Sequence, residues 1–229
     1  MSTITPQNPV LHHVTLKTNQ LAEMAAWYKT AVGLEPNHYG PFGAWLTNDA
    51  ANHRVALLVA PGLDDDPEKL AHTGMHHMAF EYPGIDALLS NYERLKDEGI
   101  TPHACLDHGL TTSLYYVDPD GNSVELQTDN FGDWSASSEW MRTAAEFQTN
   151  PIGVNVDPEQ LVAAWKGGDG AAALHERSFA GEFDPGTPWT CGFRPRPTTP
   201  RSRRSSRSAV RERTFPTAGL GQRDGHARS

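Results

Sequence analysis

The chain has 229 residues, 38% of them hydrophobic, and a formal net charge of −9. That length supports one domain of moderate size plus appendages, and the longest apolar run, Val55–Ala60, is far too short to span a bilayer. Two cysteines (Cys105 and Cys191) make no disulfide framework, and the start Met-Ser-Thr-Ile-Thr-Pro lacks the basic opening and apolar stretch of a secretory signal; a cytoplasmic protein with no membrane partner is expected.

The first predicted strand carries Leu-His-His-Val-Thr-Leu at 11–16. A helix follows from about Leu21 to Val32, with Asn19 as its N-cap and Leu21, Met24 and Tyr28 on one face. Gly33-Leu34-Glu35-Pro36 stops it, and β-rich runs follow at 43–48 and 53–60. The order then repeats. Met-His-His-Met-Ala-Phe at 75–80 stands 64 residues after its first copy, and Tyr92 stands 64 after Tyr28. A second helix runs from about Ile85 to Lys96, with Gly99 just past its end. Strand runs follow at 103–106, 112–118 and 122–128, the last two joined by the turn Asp118-Pro119-Asp120-Gly121-Asn122. The pattern is βαβββ, twice.

Beyond the repeat, 133–187 reads as a helical appendage, with helices at Trp134–Phe147 and at Asp157–Trp165, the latter opening on an Asp cap with Pro158 at its first position. Residues 191–229 hold ten Arg, no Lys and two acidic residues, a net of +8, so residues 1–190 carry −17. Rich in Ser, Pro and Thr, the stretch 188–229 reads as a basic disordered tail. A basic composition alone is a weak signal for nucleic acid, so a passenger extension is the preferred reading.

Side chains alternate faces along a strand. Val14 and Leu16 share one face, which leaves His13 and Thr15 on the other. Met78 and Phe80 leave His77 and Ala79; Val124 and Leu126 leave Glu125 with Ser123 and Gln127. The apolar faces pack on the helices, so His13, His77 and Glu125 look into the surface that the modules share. A single strand histidine is more often a structural hydrogen-bonding residue, and a single glutamate near a hairpin is more often solvated. Repeat, parity and turn together lift these three above that. Two imidazoles and one carboxylate suit Fe(II) with open positions, and Mn(II) fits the same donors. His12 and His76, on the apolar parity, read as structural or supporting groups.

The spans 11–18, 75–82 and 108–128 resemble the type I extradiol ring-cleavage dioxygenases of the vicinal oxygen chelate superfamily, in particular one-domain relatives of 2,3-dihydroxybiphenyl and catechol 2,3-dioxygenases. The most specific piece is His108-Gly-Leu-Thr-Thr-Ser-Leu-Tyr-Tyr-Val-Asp-Pro-Asp-Gly-Asn-Ser-Val-Glu125. The resemblance covers roughly residues 8–132. It implies an α+β fold in which paired βαβββ modules (8–62 and 73–130) form a cupped mixed β-sheet. It also implies metal ligands His13, His77 and Glu125, with Tyr115 and His108 as catalytic hydrogen-bonding groups. His53 matches the second histidine of a family His-His pair and is the implied acid–base catalyst, while Asn52 replaces the first. A catechol substrate, O₂ and a homo-oligomer are the implied partners. Phe42, Trp45 and Tyr82 are candidates to line a pocket for the ring.

The rival within the superfamily is a glyoxalase- or epimerase-like enzyme with a fourth protein ligand in module one. Subtracting the repeat period from Glu125 lands on Pro61, and Leu57–Leu63 contains no Asp, Glu or His. A non-enzymatic small-molecule binding protein is the more distant alternative. The passenger reading of the tail has a direct test. A chain ending at Thr190 should turn over catechols at the full-length rate, whereas a large loss would give the arginines a role.

Overall fold

In the first module, β1 (Val14–Thr18) leads into α1 (Leu21–Val32), followed by β2 (Glu35–Gly40), β3 (Gly43–Thr47) and β4 (Val55–Val59). The second module repeats that order with β5 (His77–Glu81), α2 (Ile85–Asp97), β6 (Ala104–Asp107), β7 (Thr111–Val117) and β8 (Ser123–Asp129). The computed structural model describes residues 8–64, 66, 69 and 72–187; the expected disordered tail lies outside them. Both helices end on a glycine in the left-handed region, Gly33 at φ 76° and Gly99 at φ 77°, where a side chain would be strained. The predicted glycine stops therefore hold.

Each module forms a mixed sheet. The first has the order β1-β4-β3-β2 and the second β5-β8-β7-β6-β9, where β9 (Val154–Asn155) comes from the C-terminal segment. The outer pairs β1–β4 and β5–β8 are parallel and the other pairs antiparallel. The mixed sheet thus comes in two halves, with no strand pairing between them among the described residues. They are joined underneath by a single apolar core, in which Leu16, Tyr28 and Leu57 of module one meet Met78, Leu89 and Leu126 of module two.

A polar tie reinforces that core. Tyr28 on α1 is fully buried, and its hydroxyl donates to Asp118 Oδ2 at 3.0 Å. Asp118 organises the β7–β8 turn, accepting at Oδ1 from the Asp120 and Asn122 amides and at Oδ2 from the Asn122 side chain. A helix of one module therefore holds the hairpin of the other. Burial pushes the Tyr28 phenol upward, so it stays a neutral donor.

The C-terminal segment carries α3 (Trp134–Thr143), α4 (Ala145–Thr149), β9 (Val154–Asn155), α5 (Pro158–Lys166) and α6 (Ala171–Phe179). The predicted helix over 134–147 is broken at Ala144, whose backbone is extended (φ −69°, ψ 130°). Asp157 caps α5 as expected, accepting from the Glu159 amide at 2.9 Å. The segment is not wholly helical, because β9 extends the second sheet along β6. Val156, Leu161, Val162, Leu174 and Phe183 join the common core. Asn19 does not cap α1. Its side chain donates to the Leu63 carbonyl, and Thr18 Oγ1 accepts from the Gln20 amide instead. No helix among the described residues is long and apolar enough to cross a membrane.

Tyr28→Phe deletes the tie without opening a large cavity. Losing a buried hydrogen bond of this kind should cost about 1–3 kcal/mol, read as a lower urea midpoint at unchanged slope. An unchanged midpoint would mean that the core alone joins the modules.

Candidate metal centre

Register decides which side chains meet on the inner face of module two. Ala79 of β5 and Tyr115 of β7 flank Glu125 of β8 as direct cross-strand partners. Ala79 is small, so His77, two residues earlier on the same face, can reach over it. His77 Nε2 lies 2.9 Å from Glu125 Oε2, and the Tyr115 hydroxyl donates to Glu125 Oε1 at 2.9 Å. Glu125 is only 5% exposed. Burial drives its carboxyl upward, but hydrogen bonds from His77, Ser113 and Tyr115 outweigh this and hold it below the usual carboxylate range. It is a buried, ionised acceptor.

His108 extends the chain of contacts. Its Nδ1 donates to the Ile152 carbonyl at 2.6 Å, and its Nε2 stands 2.9 Å from the Tyr115 hydroxyl. A carbonyl can only accept, so Nδ1 carries the proton in the neutral ring. Nε2 and Glu125 Oε1 are then two acceptors around one phenolic proton. The C-terminal segment sets this geometry through a close approach. A Cβ at Gly153 (φ 81°) would lie 2.0 Å from the Asp107 carbonyl oxygen, so only glycine lets the segment pass beside His108.

Module one gathers three histidines. His12, His13 and His53 each offer a donor atom, and the three lie within 4.8 Å of one another. The His13 and His53 rings are 4.2 Å apart. His53 Nδ1 donates to Asn52 Oδ1 at 2.7 Å, which leaves Nε2 with a free lone pair. Asn52, the departure from the family's histidine pair, thus orients the histidine beside it. Desolvation, then the nearby His13 and His12, pull the His53 imidazole below its ordinary value. Arg54 locks the base of the cluster. It grips Asp49 Oδ2 through Nε at 2.9 Å and Nη2 at 2.8 Å, and it donates to the His12 carbonyl at 3.0 Å. That guanidinium holds Asp49 down to about 2.

The six residues singled out in the sequence therefore fall into two groups. His77, Glu125, Tyr115 and His108 are linked in one chain of contacts, and His13 sits with His53. No hydrogen bond, ion pair or ring contact among the described residues joins His13 to His77 or Glu125. Both doublets repeat one local geometry. The Nδ1 atoms are 3.1 Å apart in His12–His13 and 2.7 Å apart in His76–His77, with the rings edge to face. His12 and His76 are exposed rather than core-facing, because both precede the first paired residue of their strand and parity does not extend to them. Trp45 lines a cavity of about 410 Å³ with Asn37, His38, Asn52 and His53. Phe42 is 78% exposed and Tyr82 packs on the core, so neither lines that cavity.

Register also corrects the position of the missing fourth ligand. Thr15 pairs with Ala56 as Ala79 pairs with Glu125, so Ala56, not Pro61, is the counterpart of Glu125. The 64-residue spacing lengthens to 69 before the last strand, and plain subtraction misses that. Ser113 was also missed, although its parity with Tyr115 on β7 could have revealed it. Imidazole nitrogens beside one buried, ionised carboxylate suit a borderline divalent cation.

A family model described as Glyoxalase/Bleomycin resistance protein/Dioxygenase superfamily matches residues 10–126. The chain is 40% identical over 178 residues to biphenyl-2,3-diol 1,2-dioxygenase 3 of Rhodococcus globerulus, covering 78% of this chain and 92% of that protein. It is 38% identical over 180 residues to biphenyl-2,3-diol 1,2-dioxygenase 2 of the same organism, covering 79% and 94%. Among solved structures, a glyoxylase/bleomycin resistance protein/dioxygenase domain from Frankia sp. EAN1pec is 18% identical at a TM-score of 0.47, covering 54% of this chain and 93% of that one.

The lowered Glu125 gives a signed pH dependence. Its stabilisation of the metal-free fold is complete above the ordinary carboxylate pKa and is lost as pH falls through the lower folded value. Thermal melts of the metal-free protein should therefore show an acid limb that Glu125→Gln flattens. Superimposable pH profiles would show that Glu125 gains nothing from its partners.

Proposed function

We propose that this chain, which belongs to the Glyoxalase/Bleomycin resistance protein/Dioxygenase superfamily, is an extradiol ring-cleavage dioxygenase acting on a catechol-type diol with O₂. The observation that carries this reading is the ladder in which His108 of the β6–β7 connection, Tyr115 of β7 and the buried Glu125 of β8 follow one another at hydrogen-bond distance. Identity near 40% to two biphenyl-2,3-diol 1,2-dioxygenases over most of the chain supports it.

His13, His77 and Glu125 would hold the metal, Fe(II) in first place and Mn(II) in second. When bound, such a metal supplies the one-electron chemistry that couples a diol to O₂, which protein side chains cannot. The remaining work falls to the chain itself. His53, kept neutral near neutrality and presenting Nε2, takes a proton from the diol as it binds and returns one later. Tyr115 and His108 share one mobile proton and hydrogen-bond the oxygens that arrive beside Glu125. Trp45 forms the apolar wall against which the aromatic ring rests. Ala56 supplies no fourth donor at the module-one counterpart of Glu125, which favours a three-ligand dioxygenase over the glyoxalase-like alternative. The protein is further proposed to act in the cytoplasm as a homo-oligomer.

The deciding experiment is anaerobic Fe(II) reconstitution of the full chain, followed by O₂ and a panel of catechols that includes biphenyl-2,3-diol. A yellow ring-opened product, absent in Glu125→Ala, is expected. Isomerase activity with Zn(II) or Ni(II) and no catechol turnover would sink the proposal.

His53→Ala should lower kcat by about 10²- to 10⁴-fold. Because the His53 imidazole lies below its ordinary value, the acid limb of kcat/KM in the unmodified enzyme should also fall below that value and vanish in the variant. A limb that survives His53→Ala would assign the base elsewhere.

A further inference from the structure

His12 has no role in the ladder of module two, yet one of its donor atoms lies within 4.8 Å of those of His13 and His53. Three imidazoles at that spacing make a ligand set in their own right. From this geometry we infer that module one holds a second metal-binding set, His12–His13–His53, selective for late divalent ions such as Zn(II), Ni(II) and Cu(II). The inference rests on the proposed function only in treating His13 as a ligand of the catalytic set as well. One histidine cannot serve both, so filling the all-histidine set empties the other.

Several features favour capture. Asn52 fixes the His53 tautomer through Nδ1 and leaves Nε2 free to bind, the outer-shell arrangement seen around metal-ligating histidines. The rings are clustered, His12 lying 5.3 Å from His13 and 5.6 Å from His53 between ring centroids, edge on to both. The backbone beneath them is held by the Arg54 contact to the His12 carbonyl and by the Val14 amide donating to the Arg54 carbonyl. His12 and His13 are exposed, so an ion reaches them without opening the fold. Affinity of nitrogen donors rises from Fe(II) to Ni(II) and Cu(II), with Zn(II) close behind. An all-imidazole set therefore favours the ions that would displace iron.

Module two cannot form the same set. By register the counterpart of His53 is Asn122, whose side chain is turned onto Asp118. The histidine trio belongs to module one, as the carboxylate belongs to module two.

The test uses Zn(II) alone, titrated calorimetrically into the metal-free full chain carrying His77→Ala and Glu125→Ala, which dismantles the carboxylate set. One Zn(II) per chain should bind. Adding His12→Ala should weaken it about tenfold or more, while adding His76→Ala to the same background should leave it unchanged. Co(II) in that background should give the visible bands of a four-coordinate imidazole site, lost with His12→Ala. If the double variant does not fold, the isosteric Glu125→Gln serves in its place. In the unmodified protein, equimolar Zn(II) should lower the iron content after reconstitution, and His12→Ala should restore it. Equal Zn(II) affinity with and without His12, or equal weakening by His76→Ala, would overturn the inference. Failure of every catechol assay would sink the dioxygenase reading and leave the calorimetry as readable as before.

Discussion

An ionised carboxylate buried in the middle of a sheet is expensive unless donors surround it, and Glu125 dictates much of what stands around it. Ala79 must be small for His77 to reach across. Tyr115 must stand directly opposite for its hydroxyl to meet Oε1, and Ser113 must share that face. These demands fix the register of three strands at once, since a slip of one residue would turn the whole set outward. The inner face is therefore specified by polar contacts as firmly as the outer face is by apolar packing.

The two modules show how a repeat can keep a fold while its chemistry diverges. Parallel outer strands, helix and glycine stop are the same in both. The inner-face side chains are not. Module two invests in a carboxylate, a phenol and a flanking histidine. Module one carries a tryptophan, a histidine cluster and an alanine. The helices that bind the modules beneath show the same divergence, since Tyr28 reaches the hairpin of the other module while Tyr92, its counterpart, bonds Glu159 in the C-terminal segment.

Strand alternation was legible because it is a local rule. It placed His77 and Glu125 on one face, and the register brings them together. Local rules failed where an element begins or where spacing is not conserved. His12 and His76 lie outside the paired strands, so parity said nothing of their environment. Ala56 was hidden by a lengthened connection, and only cross-strand pairing reveals it. The helix predicted through Ala144 breaks because its backbone turns extended there, which the periodicity of the flanking residues does not encode. Asn52 looked like a loss from the family's histidine pair. Its effect, setting a tautomer, depends on a hydrogen bond that no spacing rule expresses.

Ala56 carries a longer consequence. It sits in the first sheet where the second has Glu125, on a strand already in register with the one that follows the first histidine doublet. A glutamate there would need no new backbone, no new loop and no shift of register. If the proposed function holds, the distance between a centre that leaves room for two exogenous reactants and one that closes its coordination around a single substrate is one side chain wide. A duplicated scaffold of this kind can change reaction class by point mutation, and its relatives can differ in chemistry more than in shape.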